Sequence, residues 1–397
     1  MTNVEQSYPH RLYPRLAVLA VGLFIVGTNG FVIAGLLPSI AHTLGVQPSD
    51  VSYSITYYAI IVAVASPAVS ILLPRLSRTT LMSSGLVLIT IGTVIAAAAP
   101  TLLVFTLGRV IAALGGAALV PPATATAAIL ATPEHRGRAI AIVAVGFTAS
   151  TAFGAPLGTA LAGIGGWRMP LFGVAGLAAL TAVVLAAFVR HIPLGDPISA
   201  RRRFAVLADR RIVLALVATL LVVAGFNVVY IFSSAVVAPA THGSASLLAV
   251  LLLCFGVAGI AGNVVAGPLT DRFGNRPVAA IILGVMILAT VAIPFFAGNL
   301  IALCVIFAVW GVTANAIALP VQHRLVEVNP ATAGVALSWY STALYAGIAC
   351  APLLGSAALG LGRPELIPLL GAGAALLALA AFLIGYARVR ASVIAPA

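Results

Sequence analysis

Gly267-Pro268-Leu269-Thr270-Asp271-Arg272-Phe273-Gly274-Asn275-Arg276-Pro277 is a short charged string set between two long apolar runs, residues 246–269 before it and 278–297 after it. A run of roughly 20 apolar residues is long enough to cross a bilayer as a helix, so the string reads as the turn between two spanning helices. Its glycines let the helices turn sharply and approach closely. An Asp at such a helix end can meet the positive end of a neighbouring helix and a nearby Arg, which makes a latch that can open and close.

Working outward, cuts at charged and Pro/Gly-rich breaks give twelve apolar segments: 16–40, 51–73, 80–99, 102–131, 139–163, 169–190, 211–237, 246–269, 278–297, 299–320, 333–358 and 366–388. The 397 residues are 62% hydrophobic and 7% charged, far from the soluble balance of about half apolar and a quarter charged. The chain is therefore predicted to be an all-α integral membrane protein with twelve transmembrane helices and no large soluble domain. The first segment is too long for the apolar core of a signal peptide, so it is expected to be retained.

The 20 basic residues are all Arg and face 8 acidic ones, a net +12 that reads as a topology signal and not as a nucleic-acid footprint. With the N-terminus cytoplasmic, seventeen arginines lie on that side, Arg168 and Arg363 lie on the other, and Arg109 falls within the fourth segment. Both termini are thus expected in the cytoplasm. Cys254, Cys304 and Cys350 all sit in apolar runs without CxxC or His at ligand spacing, so no disulfide, metal site or cofactor is expected.

The only long polar connection, Arg190 to Arg211, falls at mid-chain and divides it into residues 1–190, a linker 191–211 and residues 212–397. At an offset of 197, Leu72, Arg75 and Ser77 fall opposite Leu269, Arg272 and Gly274, and Pro133 falls opposite Pro330. Two pseudo-symmetric six-helix bundles are a transporter architecture, with the substrate site between the repeats.

Several strings then carry a family resemblance. Residues 267–277 resemble the G-x-L-x-D-R-x-G-R loop of the major facilitator superfamily, which implies a gating latch of Gly267, Asp271, Arg272, Gly274 and Arg276. The corresponding string of the first half keeps Arg75 but has Pro74 and Ser77 where Asp and Gly are expected, so that half of the latch is weakened. Leu107-Gly108-Arg109-Val110-Ile111 resembles a second signature, an intramembrane Arg. A buried charge costs about 2.5–3.5 kcal/mol on insertion scales, so Arg109 faces a cavity or partner, or else snorkels to the outer interface.

In the fifth segment Gly146, Ser150, Gly154 and Gly158 recur every fourth residue around Ala155-Pro156. This is similar to the glycine–proline bend of antiporters, with Ala155 where Gly is usual, and close helix packing alone also explains it. The run Gly27-Thr28-Asn29-Gly30-Phe31-Val32-Ile33-Ala34-Gly35-Leu36-Leu37-Pro38 and the string Gly166-Trp167-Arg168 resemble bacterial twelve-helix drug:proton antiporters, especially sugar efflux and chloramphenicol exporters. Gly30 stands where those proteins carry an intramembrane Glu.

None of the acidic residues (Glu5, Asp50, Glu134, Asp196, Asp209, Asp271, Glu327, Glu365) and none of the six histidines lies in the middle of a segment. A proton relay across the membrane has no evident carrier. Thr28, Asn29, Thr56, Tyr57, Asn227, Tyr230, Trp310, Asn315, Trp339, Tyr340 and Tyr345 occupy the segments that, by the resemblance, line a central cavity. Interhelical bonding and interface anchoring are the competing roles for each. The reading is a monomeric secondary transporter of the bacterial cytoplasmic membrane that exports small organic molecules. The alternative is an uncoupled facilitator or importer of a nutrient. No clustered nucleophile and base supports an enzyme.

Overall fold

The computed structural model describes residues 8–72, 76–132, 135–189, 192 and 200–386. Twelve helices long and apolar enough to cross a membrane run α1 Tyr8–Leu44, α2 Pro48–Leu72, α3 Arg78–Ala98, α4 Leu102–Leu130, α5 Arg136–Gly165, α6 Arg168–Phe188, α7 Arg210–Ile231, α8 Ala245–Phe273, α9 Asn275–Phe295, α10 Leu300–Val328, α11 Ala333–Gly360 and α12 Leu366–Ile384. Twelve crossings put both ends of the described chain and linker residues 200–209 on one face, called here the linker face. The short connections around residues 45, 100, 166, 243, 298 and 362 lie on the far face.

Helix starts on both faces are capped by side chains that accept from the orphan N–H groups of the first turn. Ser77 accepts from Thr80 N, Thr101 from Val104 N, Asn299 from Ala302 N and Asp209 from Arg211 N. The Arg211 guanidinium also bonds the Asp209 carboxylate, and holds it below the usual carboxylate range. The α8–α9 turn rests on Gly274 at φ 83°, a left-handed conformation that explains the glycine of the charged string.

Two helices are broken by proline in ways the segment boundaries did not reveal. In α5, residues Ser150–Gly154 form a π-turn in which Ala155 N–H donates to Ser150 O, directly before Pro156. The missing N–H of Pro156 removes an i→i−4 bond, and the wider turn accommodates the gap. Ser150 and Thr151 turn their hydroxyls onto the carbonyls of Phe147 and Thr148. In α10 the helix breaks at Ile317, three residues before Pro320, although Ile317 N–H still donates to Thr313 O.

Glycine seams set how closely the helices pack. A Cβ on Gly92 of α3 would collide with the backbone of Gly108 and Ala112 of α4, and one on Gly115 would meet the backbone of Gly85. Close small-residue contact of this kind is what joins helices in a solvent as apolar as their side chains. Gly92→Val is therefore expected to lower the thermal unfolding midpoint in detergent sharply, by overpacking that costs about 1–3 kcal/mol or more. An unchanged midpoint would show that the seam can open.

Within the first half α1 packs on α5, with Gly27 against Ser150, Gly154 against Thr28, Gly158 against Val32 and Gly35 against Thr159. The periodic small residues of α5 thus serve a helix contact, and the bend belongs to the same seam. Gly166-Trp167-Arg168 is also structural. Gly166 turns at φ 76°, Trp167 packs edge-on to Phe105 at 5.8 Å, and Arg168 donates to Ala99 O at the end of α3.

Candidate functional site

Between the halves α2 lies along α11 and α5 along α8. On the far side Ser52 and Ser356 hydroxyls stand 3.3 Å apart, and Thr56 donates to Ala349 O at 2.9 Å. Nearer the middle Asn263 Nδ2 donates to Thr148 Oγ1, and Gly256 lies against Thr151 and Ala152 of the π-turn. Phe31 of α1 stacks edge-on against Tyr230 of α7 at 5.6 Å.

Behind this seal, near the middle of the helices, lies a small cavity between the halves. From the first half Val26, Gly27, Gly30, Phe31, Ala34, Ile55, Tyr58 and Phe147 line it; from the second, Asn227, Ile231, Tyr345 and Ile348. Its wall is almost wholly apolar and aromatic, which suits the apolar part of a small organic ligand. A Cβ added at Gly30 would meet nothing within 4 Å, so the position usually filled by a Glu in the resembling exporters is open space.

Of the side chains expected around a cavity, Asn227 and Tyr345 line it directly, and Asn227 donates to Val223 O. Thr28 and Asn29 are buried one layer behind, next to Gly27 and Gly30, and Thr56 is engaged in the seal. Tyr230 is buried between Phe31 and Phe255 at the cavity's edge. The others lie elsewhere. Tyr57 is half exposed on the outer face of α2 with Ile60 and Val64, turned away from the buried face of Ile55 and Tyr58. Trp310 is fully buried against Phe255 and Phe307 inside the second bundle, and Asn315 bonds Gly311 O beside Gly259. Trp339 donates to Arg203 O and packs on Phe204, tying α11 to the linker, and Tyr340 bonds Gln322 of α10. Tyr58 was passed over in the sequence although it sits one helical turn from Ile55 on the same face.

Arg109 is 2% exposed and does not snorkel. Its Nη1 donates to both the backbone and side-chain oxygens of Asn29, whose Nδ2 in turn donates to Thr93 Oγ1. The guanidinium stands 4.4 Å over the ring of Tyr58. Its Nε and Nη2 find no protein acceptor, and the hydroxyls of Tyr58, Tyr230 and Thr28 are likewise without a partner.

At the linker face, Asp271 and Arg272 are exposed, and Asp271 forms no ion pair with another described residue. Gly267 and Arg276 flank them, and Arg75 lies outside the described residues. A different polar cluster is assembled there. Asn275 donates to Glu327 and bonds His323, Tyr386 donates to Asn275, and Arg324 bonds Glu327 and stands 4.0 Å over Tyr386. Burial pushes the Tyr386 hydroxyl up to about 12 against the opposing pull of Arg324. Among the described residues no His/Cys/Asp/Glu group is placed to hold a metal.

The Major Facilitator Superfamily profile matches residues 19–237 and 214–396. The chain is 31% identical to the uncharacterized MFS-type transporter YbcL of Bacillus subtilis, over 82% of this chain and 83% of that one. It is 30% identical to the inner membrane transport protein YdhP of Escherichia coli K12, over 92% and 94%. A similar fold is found in a mutant of the nucleoside transporter NupG (TM-score 0.75, 14% identity, 94% of this chain and 100% of that one). A bacterial homologue of the human lysosomal transporter Spinster, inward-facing and unoccupied, also matches (TM-score 0.70, 19% identity, 96% of each chain).

Proposed function

The chain belongs to the major facilitator superfamily and is a multi-pass membrane transporter, and we propose that it exports small organic molecules, amphiphilic drugs or sugars, by alternating access. The observation that carries this reading is the mid-membrane cavity enclosed between the halves beneath a far-side seal. The arginine count supports a cytoplasmic linker face. The bundles 1–190 and 212–397 are then the units that rock, joined by 191–211, and the chain stands with its outer side shut, like the inward-facing Spinster homologue. The working unit is the monomer in the bilayer.

In this reading Asp271 is a latch that engages only when the cytoplasmic side closes, which fits its exposed, unpaired state here. Asp271→Asn is expected to slow transport several-fold while leaving solute affinity nearly unchanged. Transport at the normal rate would remove the latch.

One observation favours the second reading, an uncoupled carrier. The carboxylates within the helices, Asp50, Asp271 and Glu327, all sit in first or last turns, and Gly30 leaves open space in α1. Proteoliposomes with an internal pH dye decide between them. Solute counterflow is expected to persist without a pH gradient and to move no protons. Any stoichiometric proton signal would overturn uncoupled transport, and its loss on neutralising Asp50, His42 or Asp271 would place the coupling site near a membrane face. Absence of any solute flux across a broad panel of sugars and amphiphiles would overturn the transport reading of this cavity.

A further inference from the structure

Every arginine that the structure places in an ion pair is near a surface: Arg211 with Asp209, Arg324 with Glu327, Arg363 with Glu365. Arg109 is the opposite case. It is buried at membrane depth, held only by Asn29 oxygens and the face of Tyr58, with two donor nitrogens left over. Intramembrane charges are ordinarily compensated by a partner of opposite sign, because a low-dielectric surround screens them weakly. Here the sequence offers no carboxylate at that depth.

The uncompensated charge lies directly behind the cavity wall. Tyr58, whose ring it covers, lines the cavity, and Gly30, which follows Asn29, leaves that wall open. The unpartnered groups nearby, Arg109 Nε and Nη2 and the Tyr58 hydroxyl, are buried behind that wall, so they act on the cavity through their field and not by direct contact in this state. Ile55, Ile231 and Ile348 make the rest apolar. We propose that the central cavity selects amphiphilic organic anions, and that Arg109 is the residue that sets the sign of the charge it accepts. The proposal rests on the transport reading and names the substrate class of the same cavity. Organic cations of the same shape are excluded by the same field.

The test reads the field without needing the natural substrate. In the full-length chain with Cys254, Cys304 and Cys350 replaced by Ser, the Gly30→Cys variant is reacted with a sulfonate-bearing and a trimethylammonium-bearing methanethiosulfonate. Rates are normalised to a small thiol in solution. The sulfonate is expected to be favoured by roughly tenfold or more, a preference lost with Arg109→Gln and kept with Arg109→Lys. A ratio at or below the solution value, a ratio indifferent to Arg109→Gln, or no reaction with either reagent would overturn the proposal.

Should Arg109→Gln fail to fold, Gly30→Glu tests the same point with Arg109 in place. Binding of 4-phenylbutyrate by the otherwise unmodified protein in nanodiscs should exceed that of 4-phenylbutylamine, and Gly30→Glu should abolish or reverse the order. Equal binding of the amine, or an order untouched by Gly30→Glu, counts against it. Charge selectivity without solute flux in proteoliposomes would refute transport alone, and flux of neutral solutes without charge selectivity would refute this proposal alone.

Discussion

Oxidising a Ser52→Cys/Ser356→Cys double variant is expected to cut solute flux by about tenfold or more, and reductant should restore it. The two hydroxyls are 3.3 Å apart across the halves, so the substituted sulfurs fall within reach of a disulfide. The link would hold the far-side seal shut. A carrier that works by alternating access must open that seal once per cycle, and a covalent bond prevents it. Thiol titration reports how much protein is cross-linked. Full cross-linking with undiminished flux would mean that the α2–α11 contact does not open, and that solute moves by some other route.

The second large effect concerns the support of Arg109. Asn29→Leu removes the side-chain oxygen that accepts from Nη1 and the amide that bonds Thr93, and leaves a buried cation with a single backbone acceptor. A lost hydrogen bond to a charged group costs about 1.5–3 kcal/mol, and stranding the charge adds to it. The thermal unfolding midpoint in detergent should fall steeply. Arg109→Met combined with Asn29→Leu should recover much of the loss, because two apolar groups of similar volume replace the pair and no charge remains unmet. A double variant as unstable as the sum of the single ones would show that Asn29 and Arg109 act independently.

The sequence by itself determined the class of the molecule and the path of the chain. Apolar runs near 20 residues admit only helices in a bilayer, since every backbone N–H and C=O must be satisfied within the segment. The twelve runs accordingly coincide with the twelve helices within a few residues, except that α1 starts earlier at Tyr8, α7 ends earlier at Ile231 and α10 runs on to Val328. The charged string 267–277 and the glycine at 274 were legible for the same local reason, as a tight turn that needs a left-handed residue.

The site was legible only in part, because which face of a helix meets the cavity depends on rotations that hydropathy does not encode. When a helix is apolar all round, lipid-facing and protein-facing residues look alike. Hence Tyr57 and Tyr58, adjacent in sequence and about a quarter-turn apart on α2, fall on either side of the boundary between its exposed and buried faces, and Trp310 and Trp339 serve a bundle core and a linker contact. The π-turn at Ser150–Gly154 and the break at Ile317 arise from how a proline's missing N–H is resolved against neighbouring helices. The absence of a mid-span acid was plain in the sequence. That Arg109 is buried behind Tyr58, with open space at Gly30 in place of a partner, was decided by tertiary packing alone, because only the assembled helices fix what surrounds a charge in the membrane.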